Sequence, residues 1–109
     1  EQETGIQMVS FGHAGDGNVH LCVVRGDRDE ETWHRELRAA MEKVYGKAHE
    51  LGGVTSGEHG IGLSKRHYFL RETAKENLTA MNRIKDALDP KHILNDKKSY
   101  ILEGCENDA

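Results

Sequence analysis

Three histidines and one glutamate lie in two glycine-rich stretches of the sequence, and these residue types could hold a metal ion. His13 and His20 lie in the first stretch, and Glu58 and His59 lie in the second. Imidazole nitrogens and carboxylate oxygens bind Zn²⁺, with Zn–N distances of about 2.0–2.1 Å. Two histidines and one carboxylate leave coordination positions open, as in catalytic rather than structural sites. We therefore expect His13, His20 and Glu58 to bind a divalent metal, with His59 as a free base beside it.

The two glycine-rich stretches, residues 12–20 and 52–62, hold eight of the twelve glycines in the chain. Glycine, aspartate and asparagine favour turns, because they tolerate positive φ or bond their own backbone. Either stretch alone is more often just a turn, whereas both together in one short chain favour a functional site. Two alternatives stay open: a metal-binding module without catalysis, which needs no base at His59, and a purely structural role that predicts no metal.

The first glycine-rich stretch is predicted to form the turn of a β-hairpin, at about residues 14–19. Segments 6–11 and 19–24 on either side are rich in residues that strands prefer. We expect His13 to lie opposite His20, so that two imidazoles stand side by side. In this register Phe11 pairs near Cys22 and Val9 near Val24, all on one face.

Helices are predicted for most of the remaining chain. Apolar residues at three-to-four spacing predict a helix over residues 30–51, with Asp27 or Asp29 as its cap and Gly52-Gly53 as its end. A short amphipathic helix is predicted over residues 63–70.

The last predicted helix runs from about residue 74 to residue 88. Thr73 and Glu76 have the spacing of a capping box, and Asp89-Pro90 should stop the helix. The residues expected on its buried stripe are Leu78, Met81, Ile84 and Leu88.

Composition excludes several classes of function. The 109 residues suffice for one domain, and the net charge is −4 with basic residues scattered rather than clustered, which argues against nucleic acid. No apolar run approaches the roughly 20 residues of a transmembrane helix. No signal peptide is recognised. Two cysteines make no disulfide framework, so we expect a reducing compartment such as the cytoplasm.

The predicted fold class is α+β: a partial antiparallel sheet, seen as a hairpin, backed by helices. Both faces of the hairpin are apolar, and two strands alone cannot stay folded with both faces exposed. The chain also begins at Glu1 and passes directly into a strand. We therefore expect a piece of a longer protein, in which further strands and a second layer come from elsewhere.

Three motifs, in this order along nearly the whole chain, resemble a known family. They are residues 12–20 (GHAGDGNVH), 56–62 (SGEHGIG) and 88–95 (LDPKHILN). They are similar to the C-terminal part of FAD-linked oxidases of the vanillyl-alcohol-oxidase superfamily. The similar branch contains D-lactate dehydrogenases, glycolate oxidase catalytic subunits and D-2-hydroxyglutarate dehydrogenases. The fold implied is the C-terminal segment of a ferredoxin-like substrate or cap domain.

The resemblance implies an enzyme that oxidises a D-2-hydroxy acid to the 2-oxo acid. It implies that His13, His20 and Glu58 bind a divalent metal, Zn²⁺ or Mn²⁺, which grips the hydroxyl and carboxylate oxygens of the substrate. His59 would take the hydroxyl proton as general base while hydride passes to the flavin. The motif positions of Asn18 and Asn95 imply that these residues lie near the cofactor or the substrate.

The resemblance also implies what the rest of the enzyme supplies. Residues 1–109 would be the C-terminal part, comprising the substrate or cap domain and a C-terminal arm. The FAD-binding domain would be absent from this chain, which is therefore expected to be inactive alone. The partners implied are a small 2-hydroxy acid of the lactate or glycolate type and an electron acceptor, either a protein or a quinone. Peripheral attachment to a membrane, a mitochondrial location in a eukaryote and a homodimer stay open.

Two departures from the family pattern bear on these expectations. Asn95 is followed by Asp96-Lys97-Lys98, where the family usually continues with Pro-Gly-Lys, so a flavin contact by this arm is questioned. Cys22 stands where D-2-hydroxyglutarate dehydrogenases often have an Asn, which weakens that choice of substrate.

Overall fold

The computed structural model describes residues 5–96 and residue 98. Among them are two strands, β1 (Gln7–His13) and β2 (Asn18–Val24), which pair as an antiparallel sheet. Three α-helices follow: α1 (Glu30–Glu50), α2 (Arg66–Glu72) and α3 (Lys75–Leu88). The predicted α+β class is therefore confirmed. The chain divides into two units, Glu1–His59 and Gly60–Ala109, and each is considered by itself.

The hairpin has a different register from the predicted one. Phe11, not His13, lies opposite His20, and His13 lies opposite Asn18. The reason is a tighter turn: Ala14–Asp16 forms one turn of 3₁₀ helix, and Gly17 closes it in the left-handed region at φ 64°. The shift amounts to two residues, which is one full period of a strand, so His13 and His20 keep a common face. They become diagonal rather than direct neighbours.

Helix α1 begins and ends where local signals place it. The side chain of Asp29 accepts a hydrogen bond from the backbone N–H of Thr32 at 2.9 Å, so Asp29 is the cap. At the other end Gly52 has φ 80°, its N–H donates to His49 O, and Gly53 N–H donates to Ala48 O. These two bonds form a Schellman motif, in which glycine takes the left-handed position at no steric cost.

One arginine joins the start of the hairpin to helix α1 within the first unit. The guanidinium of Arg28 donates to the backbone O of Gly5 at 2.8 Å and to the carboxylate of Glu36, also at 2.8 Å. Ile6 and Ala40 are the buried hydrophobic residues of the described part of the chain, 0% and 1% exposed. Burial of these two side chains and the hydrogen bonds of Arg28 therefore stabilise the first unit.

The second unit corrects two predictions. The cap of α3 is Ala74, which makes no side-chain hydrogen bond, so the capping box between Thr73 and Glu76 is not formed. Thr73 instead ends α2, where its N–H donates to Phe69 O. The expected buried stripe is also open, since Ile84 is 62% and Leu88 is 78% exposed.

A buried carboxylate orders the segment after α3. Asp89 is 4% exposed, and it accepts the backbone N–H groups of Ile93 at 3.2 Å and Leu94 at 2.9 Å. Lys85 donates to the same carboxylate and to Leu94 O, the latter at 2.6 Å. The hydrogen bond from Lys85 and those from the two backbone amides lower the pKa of Asp89 to about 2. None of the helices between residues 5 and 96 has the length and apolar character needed to cross a membrane.

Candidate metal centre

The hairpin brings two of the predicted ligands together. His13 ends β1, and His20 is the third residue of β2 on the same face of the sheet. Their ring centroids lie 5.3 Å apart, with the rings nearly perpendicular. The side chain of His20 is 19% exposed, whereas that of His13 is 56% exposed. The pair therefore offers one sheltered and one accessible imidazole.

Glu58 reaches this pair from the loop that follows helix α1. Its Oε1 lies 2.8 Å from Nε2 of His20 and 3.6 Å from Nε2 of His13. One ligand atom from each of the three residues falls within 4.8 Å of the others. The structure thus brings together the three side chains that the sequence singled out as metal ligands.

His59 lies beside this triad. Its Nε2 is 3.4 Å from Glu58 Oε1, and its ring centroid is 5.2 Å from that of His20. The side chain of His59 is 68% exposed, so its ring is open to solvent. This placement fits a base next to the site.

Phe11 supports His20, a role that residue types alone did not reveal. It lies directly opposite His20 in the register, and the two rings stack at 5.1 Å with 19° between their planes. Stacking restricts the plane of the imidazole ring. The predicted register pairs Phe11 near Cys22 instead of His20. For that reason the sequence alone does not reveal the contact between the two rings.

Asn18 approaches the Glu58 loop from the first position of β2. Its side chain is hydrogen-bonded to Glu58. It also lies against Gly57, where an added Cβ would be 2.8 Å from Asn18 Cγ and 3.3 Å from Nδ2. The other asparagine expected near a cofactor, Asn95, belongs to the second unit and has a left-handed backbone with φ 49°. Cofactor contact by either asparagine stays a prediction.

The electrostatics of the cluster favour an ionised glutamate. Partial desolvation by itself raises the pKa of the Glu58 carboxyl. The charges of His13, His20 and His59 and the hydrogen bond from Asn18 outweigh it, so the pKa lies below its ordinary value of 4.5. An ionised carboxylate is the form that binds a cation.

The donor set fits a borderline divalent metal. Two imidazole nitrogens and one carboxylate oxygen are common ligands of Zn²⁺, and a set of three leaves room for an exogenous ligand. Glu58 is 45% exposed in its side chain, so the open side of the cluster faces solvent in the described part of the chain. The arrangement is therefore compatible with a bound divalent cation, and such binding stays a prediction.

Comparison with known proteins gives a consistent result. The family profile described as FAD linked oxidases, C-terminal domain, matches residues 1–99. A D-lactate dehydrogenase of Anaerostipes hadrus is 41% identical over 98 residues, which is 90% of this chain and 21% of that protein. The glycolate oxidase subunit GlcD of Bacillus subtilis (strain 168) is 40% identical over 98 residues, again 90% of this chain and 21% of that protein.

A third relative extends the range of substrates named among these proteins. The mitochondrial D-2-hydroxyglutarate dehydrogenase of Danio rerio is 41% identical over 93 residues, 84% of this chain and 16% of that protein. The chain thus spans about a fifth of the length of these curated relatives.

Proposed function

The chain belongs to the family of C-terminal domains of FAD-linked oxidases, and from this we propose that it forms the substrate-side part of an FAD-dependent oxidoreductase. The substrate proposed is a small D-2-hydroxy acid of the lactate or glycolate type, oxidised to the 2-oxo acid. The names of the similar proteins, D-lactate dehydrogenase and glycolate oxidase subunit GlcD, support this choice.

The observation that carries the proposal is the convergence of the three ligands. Glu58 Oε1 lies 2.8 Å and 3.6 Å from the Nε2 atoms of His20 and His13. A 2-hydroxy acid presents a hydroxyl and a carboxylate on neighbouring carbons, so it would suit a cation held by only three protein side chains. A three-residue ligand set is suited to this kind of chelation.

The residues of this chain would divide the work as follows. His13, His20 and Glu58 would hold a divalent cation. A bound divalent cation supplies Lewis acidity that lowers the pKa of the substrate hydroxyl, and a bound flavin supplies the hydride acceptor. His59 accepts the hydroxyl proton at Nε2, the atom that lies 3.4 Å from Glu58 Oε1.

Spectroscopy on the 109-residue chain loaded with Co²⁺ tests the chelation directly. Co²⁺ accepts the same ligand set as Zn²⁺ and has visible absorption that reports its coordination. We expect glycolate to change this spectrum, and acetate, which differs only in lacking the hydroxyl, to change it much less at equal concentration. An equal response to both acids would contradict chelation of a 2-hydroxy acid.

A further inference from the structure

Asn18 occupies a constrained position between the hairpin and the Glu58 loop. It lies opposite His13 and begins β2. On the hairpin side, an added Cβ on Gly12 would meet the backbone carbonyl of Asn18, with its carbon 3.1 Å away. Only glycine at position 12 permits this close approach of the two backbones. The backbone of Asn18 is therefore fixed by the hairpin itself.

On the loop side, the side-chain amide of Asn18 occupies the space that a side chain at position 57 would need. An added Cβ on Gly57 would lie 2.8 Å from Asn18 Cγ and 3.3 Å from Nδ2. The φ of Gly57 is not positive, unlike that of Gly60 or Gly62, so its backbone would accept an L-residue. The amide of Asn18, rather than the backbone conformation, is what excludes a side chain there.

The same amide serves the neighbouring residue. Asn18 and Glu58 are joined by a side-chain hydrogen bond, in which the amide N–H donates to the carboxylate. Glu58 directs Oε1 toward His20 at 2.8 Å. The Glu58 carboxylate has one oxygen close to imidazole nitrogens, and it also accepts a hydrogen bond from an amide. These contacts leave it fewer orientations than a carboxylate on an exposed loop that lacks them.

We propose that Asn18 is a positioning residue, whose side-chain amide holds the Glu58 carboxylate against His13 and His20, and that Gly57 makes room for it. The inference rests on the metal site of the proposed function and assigns one of its supporting residues. Outer partners that orient a metal ligand contribute to affinity, and their loss typically weakens metal binding 10–100-fold. In this role Asn18 acts through Glu58.

The test measures Zn²⁺ affinity of the 109-residue chain by calorimetric titration. Asn18→Leu keeps the approximate shape of the side chain and removes its hydrogen-bonding groups. The matched control is Asn77→Leu, which makes the same change at an exposed asparagine in α3. We expect Asn18→Leu to raise the Kd for Zn²⁺ by about 10–100-fold and the control to leave it unchanged. An unchanged Kd in Asn18→Leu overturns the inference, because a role of bulk alone would survive this substitution.

A second variant covers the case in which Asn18→Leu does not fold, as judged by circular dichroism. Gly57→Ala keeps Asn18 but displaces its amide, which sits at the end of a movable side chain. We expect little change in unfolding temperature and a similar loss of Zn²⁺ affinity. Wild-type affinity in a folded Gly57→Ala chain overturns the inference.

A metal-free measurement separates this inference from the proposed function. The side-chain amide signals of Asn18 in a ¹⁵N-correlated NMR spectrum of the chelator-treated chain should shift in Glu58→Ala. If the wild-type chain binds no Zn²⁺ while this shift is present, the proposed metal site fails and the positioning contact stands. Asn18 amide signals that do not respond to Glu58→Ala overturn the positioning role, whatever the metal does.

Discussion

At the level of single residues, one oxygen atom connects three imidazoles. Glu58 Oε1 lies 2.8 Å, 3.4 Å and 3.6 Å from the Nε2 atoms of His20, His59 and His13. All three imidazoles therefore lie close to the same negative charge, that of the Glu58 carboxylate. Removing the charge while keeping the shape of the side chain is the most specific change at this site.

Glu58→Gln is predicted to weaken Zn²⁺ binding more than any change in a supporting residue. The amide cannot replace an anionic ligand, so we expect a loss at or beyond the 100-fold or so that marks the upper range for outer partners. The measurement is a calorimetric titration at fixed pH, with Glu50→Gln, at an exposed glutamate of α1, as the matched control. Retained affinity in Glu58→Gln would remove Glu58 from the ligand set.

His59→Ala is predicted to separate catalysis from metal binding. Because His59 lies outside the triad, Zn²⁺ affinity should stay near that of the wild-type chain. Loss of a general base lowers turnover by about 10²–10⁴-fold. The assay uses a chimera in which this chain replaces the matching segment of the Anaerostipes hadrus relative, with D-lactate as substrate. Unchanged turnover by the His59→Ala chimera would favour a site without this base.

Among single residues, the sequence was informative where residue type alone carries chemistry. His13, His20 and Glu58 stood out as ligand types among glycines, and the structure brings them together. The contact of Asn18 with Gly57 was out of reach, because it depends on where a loop 39 residues later in the chain folds back. Phe11 was missed for a related reason, since its stacking on His20 depends on the register of the hairpin.

At the level of elements, local sequence signals predicted helix α1 more accurately than the hairpin register. Helix α1 follows its prediction closely, because the Asp29 cap and the Gly52 end are both contacts within a few residues. The predicted capping box failed because Thr73 ends the preceding helix instead. The hairpin register was wrong because the turn uses a 3₁₀ segment, Ala14–Asp16, which shortens the loop by two residues.

Gly12→Ala is predicted to destabilise the hairpin. Its Cβ would meet the backbone carbonyl of Asn18, and backbone atoms cannot swing aside as a side chain does. Overpacking of this kind costs about 1–3 kcal/mol. The control is Gly46→Ala in α1, where a Cβ meets nothing and helix propensity should add about 0.5–1 kcal/mol. Urea unfolding, monitored by circular dichroism, should give a lower unfolding midpoint for Gly12→Ala and a higher one for Gly46→Ala. Equal shifts of the two midpoints would contradict the close approach at Gly12.

The lowered pKa of Asp89 predicts how the segment after α3 responds to acid. Its pKa is lowered from 3.8 to about 2, so its carboxylate stabilises the folded state above pH 3.8, and that contribution is lost as the pH falls toward about 2. Hydrogen exchange at the amides of Ile93 and Leu94, which donate to Asp89, should report this loss. Protection of these amides should fall across this range in the wild type.

Asp89→Asn supplies the control for this acid response. The amide cannot be protonated in this range, so protection of Ile93 and Leu94 should be lower at pH 5 and nearly independent of pH below it. A variant with the same acid response as the wild type would show that another group controls the segment.

At the level of the whole molecule, apolar side chains remain open in both units. Phe11 on the hairpin is 59% exposed, and Leu88 on α3 is 78% exposed. Helical periodicity identified the apolar face of α3, but periodicity cannot say what covers a face. The chain spans about a fifth of the length of the relatives that it matches. The electron acceptor, the oligomeric state and the cellular location stay predictions.

His13, His20 and Glu58 are proposed to bind one divalent cation together. The most direct test is the metal content of the purified chain by elemental analysis after loading with Zn²⁺ or Mn²⁺ and dialysis. His13→Ala and Glu58→Ala are compared with His34→Ala, a histidine on α1 whose side chain is 67% exposed. We predict about one equivalent in the wild type and in His34→Ala, and loss of the metal in the other two. A folded wild-type chain without metal, or equal metal in His13→Ala, would contradict the claim.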